Sequence, residues 1–153
     1  MSAQTSRTSV DEFVNQKTLA VVGVSGNSKK FGNWAYRELK AKGYRIFPIN
    51  RNLDSIDGSE CYPNLHALSE KVDGVLIVVP PKETEQVVRE ADALSIKRIW
   101  MQQGSESDEA IEYCHKNGIS EVHGECILMF AEPVCSYHRL HRGIIGILGK
   151  LPQ

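Results

Sequence analysis

The segment Gly23-Val24-Ser25-Gly26-Asn27-Ser28-Lys29-Lys30-Phe31-Gly32 packs three glycines, three short polar side chains and two lysines into ten residues. It follows the aliphatic run Leu19–Val24 and precedes a helical pattern over Asn33–Lys42. The chemistry such a turn performs is anion binding. Glycines let the backbone turn tightly and approach a ligand closely, and the first N–H groups of a helix point at a phosphate. Gly23, Ser25, Gly26, Asn27, Ser28, Lys29 and Gly32 are therefore the candidate phosphate-binding residues. The pattern is neither GxGxxG, because Ser25 takes the place of the second glycine, nor a Walker loop.

A second candidate lies at the end of the next aliphatic run, Pro48-Ile49-Asn50-Arg51. A site for NAD wants an acidic residue there to receive the ribose hydroxyls. Arg51 suits a phosphate on the adenosine ribose instead, since its planar fork makes charge-assisted hydrogen bonds. Both NADP and coenzyme A carry such a phosphate, and the residues alone do not choose between them. Cys126, Cys135, His138 and His141 place metal-capable side chains in one segment, but their spacing matches no zinc pattern, so no metal is expected. Nothing sets a general base against a thiol, and no catalytic residue is assigned.

These residues need a scaffold, and the sequence supplies one. The runs Leu19–Val24, Arg45–Ile49, Val75–Val79 and Arg98–Met101 suit strands buried on both faces, with Ile119–His123 as a half-polar edge strand. Helical patterns separate them. Asn33–Lys42 ends at Gly43, Pro81–Leu94 opens on a proline, and Glu106–Asn117 follows Ser105 with Asp108 three residues on. Between the second and third strands Pro63–Glu70 offers only a short helix. The expected fold is α/β: a Rossmann-like, doubly wound, five-stranded parallel sheet in the order 3-2-1-4-5, with helices on both faces. The first strand then ends at the reversal of strand order, where such sheets bind ligands.

Residues 1–9 read as a disordered segment and 10–153 as one domain. Its extension from about residue 124 carries Gly143, Gly146 and Gly149 in an otherwise helical pattern. A net charge of -1 argues against a nucleic-acid partner. No apolar run approaches the roughly 18 residues of a membrane span, and the polar start lacks a secretory core, so a cytoplasmic protein with no membrane partner is expected. The four cysteines form no CxxC pair and are expected to be reduced thiols.

Taken in order, several motifs resemble the CoA-binding domain family, the Rossmann-like domain that also begins the α subunit of succinyl-CoA synthetase. They are Val21–Ser25 with its loop, Gly43–Asn50, Tyr62–Leu65, Val78–Pro81, Ile99–Gly104 and Gly124–Cys126. The likeness covers roughly Lys17 to Cys126 and is strongest to stand-alone members. It implies that Ser25–Ser28 face the pyrophosphate of coenzyme A and that Asn50 and Arg51 lie near its adenosine end. Pro80 and Pro81 would wall the ligand's path. Met101, Gln102, Gln103 and Gly104 would lie beside the pantetheine arm, with Cys126 in the loop that follows. The synthetase's second domain and its phosphorylated histidine segment have no counterpart, so its ligation chemistry is not carried over.

The resulting expectation is a non-catalytic protein that binds coenzyme A or an acyl-CoA as carrier, sensor or accessory chain. Two alternatives stand beside it. One is an NADP-dependent oxidoreductase in which His123 or Tyr137 moves a proton. The other is the nucleotide-binding subunit of a separate acyl-CoA ligase. Self-association and pairing with a ligase chain are both left open.

Overall fold

Each aliphatic run becomes a strand in the computed structural model, which describes residues 5–131. Along the chain lie α1 (Arg7–Val14), β1 (Thr18–Val22), α2 (Phe31–Ala41) and β2 (Arg45–Ile49). A small hairpin follows, β3 (Ser55–Ile56) and β4 (Ser59–Glu60), and then β5 (Gly74–Ile77), α3 (Pro81–Ala93), β6 (Arg98–Gln102), α4 (Asp108–Lys116) and β7 (Ser120–Glu125). The five long strands pair in parallel, and β7 holds the edge position expected of its half-polar sequence.

Alternate residues of each strand feed two separate cores, as the twofold period of a strand requires. Leu19, Val21, Leu76, Trp100 and Val122 pack with Val10 and Phe13 of α1 and Ala35, Tyr36 and Leu39 of α2. Ala20, Val75, Ile77, Ile99 and Met101 pack on the other face with Val88 and Ala91 of α3 and Ala110, Ile111 and Cys114 of α4.

The strand order is β2-β1-β5-β6-β7, which corrects the expected 3-2-1-4-5 within the same doubly wound class. The third long strand pairs with β1, not with the outer edge of β2. Two features explain this. Pro48 lies inside β2 and cannot donate to a ladder, so β2 belongs at an edge. On that edge Tyr62 runs beside it, donating its N–H to the Pro48 carbonyl at 2.9 Å while the Asn50 N–H donates to the Tyr62 carbonyl at 2.9 Å. The chain then returns over the α3/α4 face through a single turn, Leu65–Ala67, which is what remains of the helix expected over Pro63–Glu70.

The amino-terminal expectation is also corrected for the residues described. Ser6 caps α1 by accepting from the Ser9 N–H, and Val10 and Phe13 are buried, Phe13 against Trp100 with ring centroids 5.4 Å apart. The Thr5 hydroxyl donates to the His123 carbonyl and accepts the His123 N–H, both at 2.9 Å, which ties this end to β7. Helix α4 starts two residues later than expected, and Ser107, not Ser105, caps it by accepting from Ala110.

Candidate functional site

The strand order still puts a crevice where the sequence reading wanted one. From β1 the chain crosses to β2 through α2 on one face; from β5 it crosses to β6 through α3 on the other. The carboxyl ends of β1 and β5 therefore open between the amino ends of two helices, the usual ligand position in such sheets. A cleft of about 980 Å³ occupies this place.

Two glycines make the floor. Gly23 has φ +126, and a Cβ there would stand 2.1 Å from the Val78 carbonyl oxygen, so β1 and β5 end in close contact. A Cβ on Gly32 would stand 2.3 Å from the Gly23 carbonyl oxygen, so α2 lies directly on the turn. Two asparagines then fix the loop between them. Buried Asn33 accepts the Ser25 N–H and donates to the Ser25 carbonyl, both at 2.7 Å. Asn50 donates to the Val24 carbonyl at 2.7 Å. Asn50 thus braces the cleft wall with its amide, a positioning role that its place at the strand end alone did not disclose.

The helix ends facing the cleft differ from those elsewhere. Helices α1 and α4 are capped by Ser6 and Ser107, whereas α2 and α3, whose caps Lys30 and Pro80 line the cleft, have no side-chain cap bond. Helix α2 has no acidic residue in its first turn. Its leading N–H groups and positive dipole end are thus directed at the cleft. Helix α3 carries Glu83 in its first turn.

Among the residues singled out from sequence, Gly23, Ser25, Gly32, Asn50, Arg51 and Pro80 line the cleft. Gly26, Asn27, Ser28 and Lys29 are exposed in the loop above it. There the Ser25 hydroxyl accepts from the Asn27 N–H at 3.1 Å and the Asn27 side chain from the Lys29 N–H at 3.0 Å. These two side chains shape the loop's own turn. Pro81 opens α3 on its exposed side.

Met101, Gln102, Gln103, Gly104 and Cys126 are not among the lining residues; they sit at the ends of β6 and β7. Met101 is buried under α3 and α4, and the Gln102 side chain accepts the Ile127 N–H at 3.1 Å. Gly104 donates its N–H to Glu106 at 2.9 Å, and Cys126 is half-buried on the α2 side. Burial pushes the neighbouring Glu125 carboxyl upward, His123 opposing the shift.

Sequence reasoning missed the α3 wall. Glu83, Gln86, Val87 and Glu90 line the cleft at helical spacing, on the side left free when Thr84, Val88 and Ala91 turn inward. Glu90 accepts the Leu65 and His66 N–H groups at 2.6 and 3.3 Å, which holds the single turn against α3. Among the described residues no cluster of three metal-capable side chains occurs. Cys135, His138, His141 and Tyr137 lie outside the described residues, as does most of the expected extension. His123 binds Glu121 at 2.8 Å on β7 and does not line the cleft.

Comparison with known proteins settles the family. The profile described as a CoA binding domain matches residues 17–132. The chain belongs to the CoA-binding domain family. The ADP-forming acetate–CoA ligase II subunit alpha of Pyrococcus furiosus is 27% identical over 129 residues, covering 77% of this chain and 28% of the ligase subunit. An ADP-forming acetate–CoA ligase II from Archaeoglobus fulgidus is 35% identical over 83 residues, 53% of this chain and 12% of that protein. The chain thus spans less than a third of the length of these ligases. Uncharacterized protein YneT of Bacillus subtilis, 24% identical over 123 residues, is covered over 91% of its length and covers 80% of this chain. A solved structure of a conserved hypothetical protein from Pyrococcus furiosus superposes with TM-score 0.69 at 39% identity, over 72% of this chain and 96% of that one. The chain is thus similar to a part of these ligases and to small proteins over nearly their whole length. Among the described residues no helix is long and apolar enough to cross a membrane.

Proposed function

We propose that this domain binds coenzyme A or an acyl-CoA in the cleft between β1 and β5, as a carrier, sensor or accessory chain with no catalytic residue of its own. The observation that carries the reading is the uncapped amino end of α2, pressed onto the cleft by Gly23 and Gly32 and preceded by Lys29 and Lys30. Such an end is built for a diphosphate. In this reading Ser25–Ser28 cover the pyrophosphate and Arg51 reaches the 3′-phosphate on the ribose. The adenosine lies between Leu65 and the Val87 side of α3, two walls of the cleft. The pantetheine arm runs from the cleft towards Met101–Gly104 and Cys126.

The ligase relatives favour a second reading, in which the domain lends its CoA site to a separate ligase chain. Of the two proton-moving candidates in the NADP alternative, His123 is bound to Glu121 away from the cleft, and Tyr137 lies outside the described residues. Native mass spectrometry of freshly purified protein tests the proposal. We expect an adduct with the mass of coenzyme A or an acyl-CoA, formed on adding CoA if absent at first. An NADP adduct, or no adduct with millimolar CoA, would contradict it.

A further inference from the structure

Arg51 and Glu83 face each other across the cleft. Arg51 comes from the turn after β2 and Glu83 from the first turn of α3, and the guanidinium Nη2 lies 3.8 Å from the carboxylate Oε1. The pair therefore joins two walls of the site. Both side chains are largely exposed, so the contact contributes little to folding, and its consequence is for charge in the cleft.

The two helix ends are unequally prepared for an anion. Helix α2 has no acid in its first turn and follows Lys29 and Lys30, whereas Glu83 already compensates the dipole of α3. A diphosphate belongs at α2, and a second phosphate reaching Arg51 must meet Glu83. We infer that Glu83 sets the affinity and the phosphate selectivity of this site by competing with the ligand for Arg51. The inference rests on the coenzyme A reading of the cleft. A phosphate monoester carries nearly two negative charges and three acceptor oxygens, so it displaces a single carboxylate from the guanidinium. The displaced carboxylate remains close, and its repulsion weakens the hold on the phosphorylated ribose. A ligand without that phosphate leaves the ion pair in place and does not experience the repulsion.

Titration calorimetry at low ionic strength, with coenzyme A and dephospho-CoA, tests this on wild type, Glu83→Gln, Arg51→Ala and the Arg51→Ala/Glu83→Gln double variant. Melting curves confirm that each chain is folded. Glu83→Gln should bind coenzyme A about two- to fivefold more tightly and dephospho-CoA equally well. The gain should shrink when Arg51 is also replaced. If coenzyme A binds and Glu83→Gln leaves it unchanged, weakens it, or shifts both ligands alike, Glu83 does not compete for Arg51. A folded wild type that binds neither ligand removes the coenzyme A reading, and this inference with it.

Discussion

A methyl group added at Gly23 would stand 2.1 Å from the Val78 carbonyl, while one at Gly26 would meet only the Leu53 side chain, at 3.7 Å. Gly23 also has φ +126, a conformation that other residues resist. The two glycines stand three positions apart in one loop and look equivalent in sequence. Gly23→Ala should cost about 3 kcal/mol or more, because backbone strain adds to a contact with main chain that cannot yield. Gly26→Ala should stay within about 0.5 kcal/mol of wild type, as substitutions clear of such features do. Denaturant unfolding of the two variants distinguishes them. Equal effects would mean that β1 and β5 do not meet as described. At this scale the sequence disclosed residue types well and partners poorly. Ser25, Asn50 and Arg51 were legible as polar groups at strand ends, but that Asn50 holds Val24 and Asn33 holds Ser25 depends on distances between segments.

Lys30 stands immediately before helix α2, and its backbone has the extended conformation of a helix cap but its side chain makes no cap bond. An aspartate there would supply the missing acceptor and a negative charge at the positive dipole end. Lys30→Asp should therefore stabilise the fold by up to about 1 kcal/mol. It should also weaken coenzyme A binding by roughly tenfold, since a carboxylate replaces a cation at the diphosphate position. A thermal melt and a binding titration on one variant read both effects. A variant that gains stability and keeps full affinity would show that the phosphates lie elsewhere.

The elements themselves were legible in unequal degree. Arg45–Ile49 is β2 to the residue, because the apolar run Ile46–Ile49 is short and bounded by turn residues, which suits a strand better than a helix. Helix α1 escaped notice because its eight residues bury only Val10 and Phe13, too few to set up a period. The β3–β4 hairpin escaped although Asp57-Gly58 supplies both positive φ angles that a tight two-residue turn needs. Arg37 then secures the hairpin to α2 through two bonds to Asp57, at 2.7 and 3.1 Å.

For the whole molecule, the sequence specified an α/β doubly wound sheet and left its order to be decided by edges. Pro48 was the available signal, since a proline in the second strand argues against an interior position. Both orders end β1 at a reversal point, so the cleft was foreseeable even though the neighbour of β2 was not. The α3 wall was not foreseeable, because it depends on which side of that helix the sheet leaves uncovered.

The central claim is that the cleft recognises coenzyme A through its phosphates, and Arg51 tests it most directly. The side chain is 78% exposed, so its charge-assisted bond to a phosphate belongs at the weak end of the usual range. Titration calorimetry of wild type and Arg51→Ala with coenzyme A, dephospho-CoA and NADP should show coenzyme A weakened about tenfold in the variant. Dephospho-CoA should bind both forms alike, and NADP should bind neither well. Tight NADP binding without coenzyme A binding, or equal losses for coenzyme A and dephospho-CoA, would contradict the account.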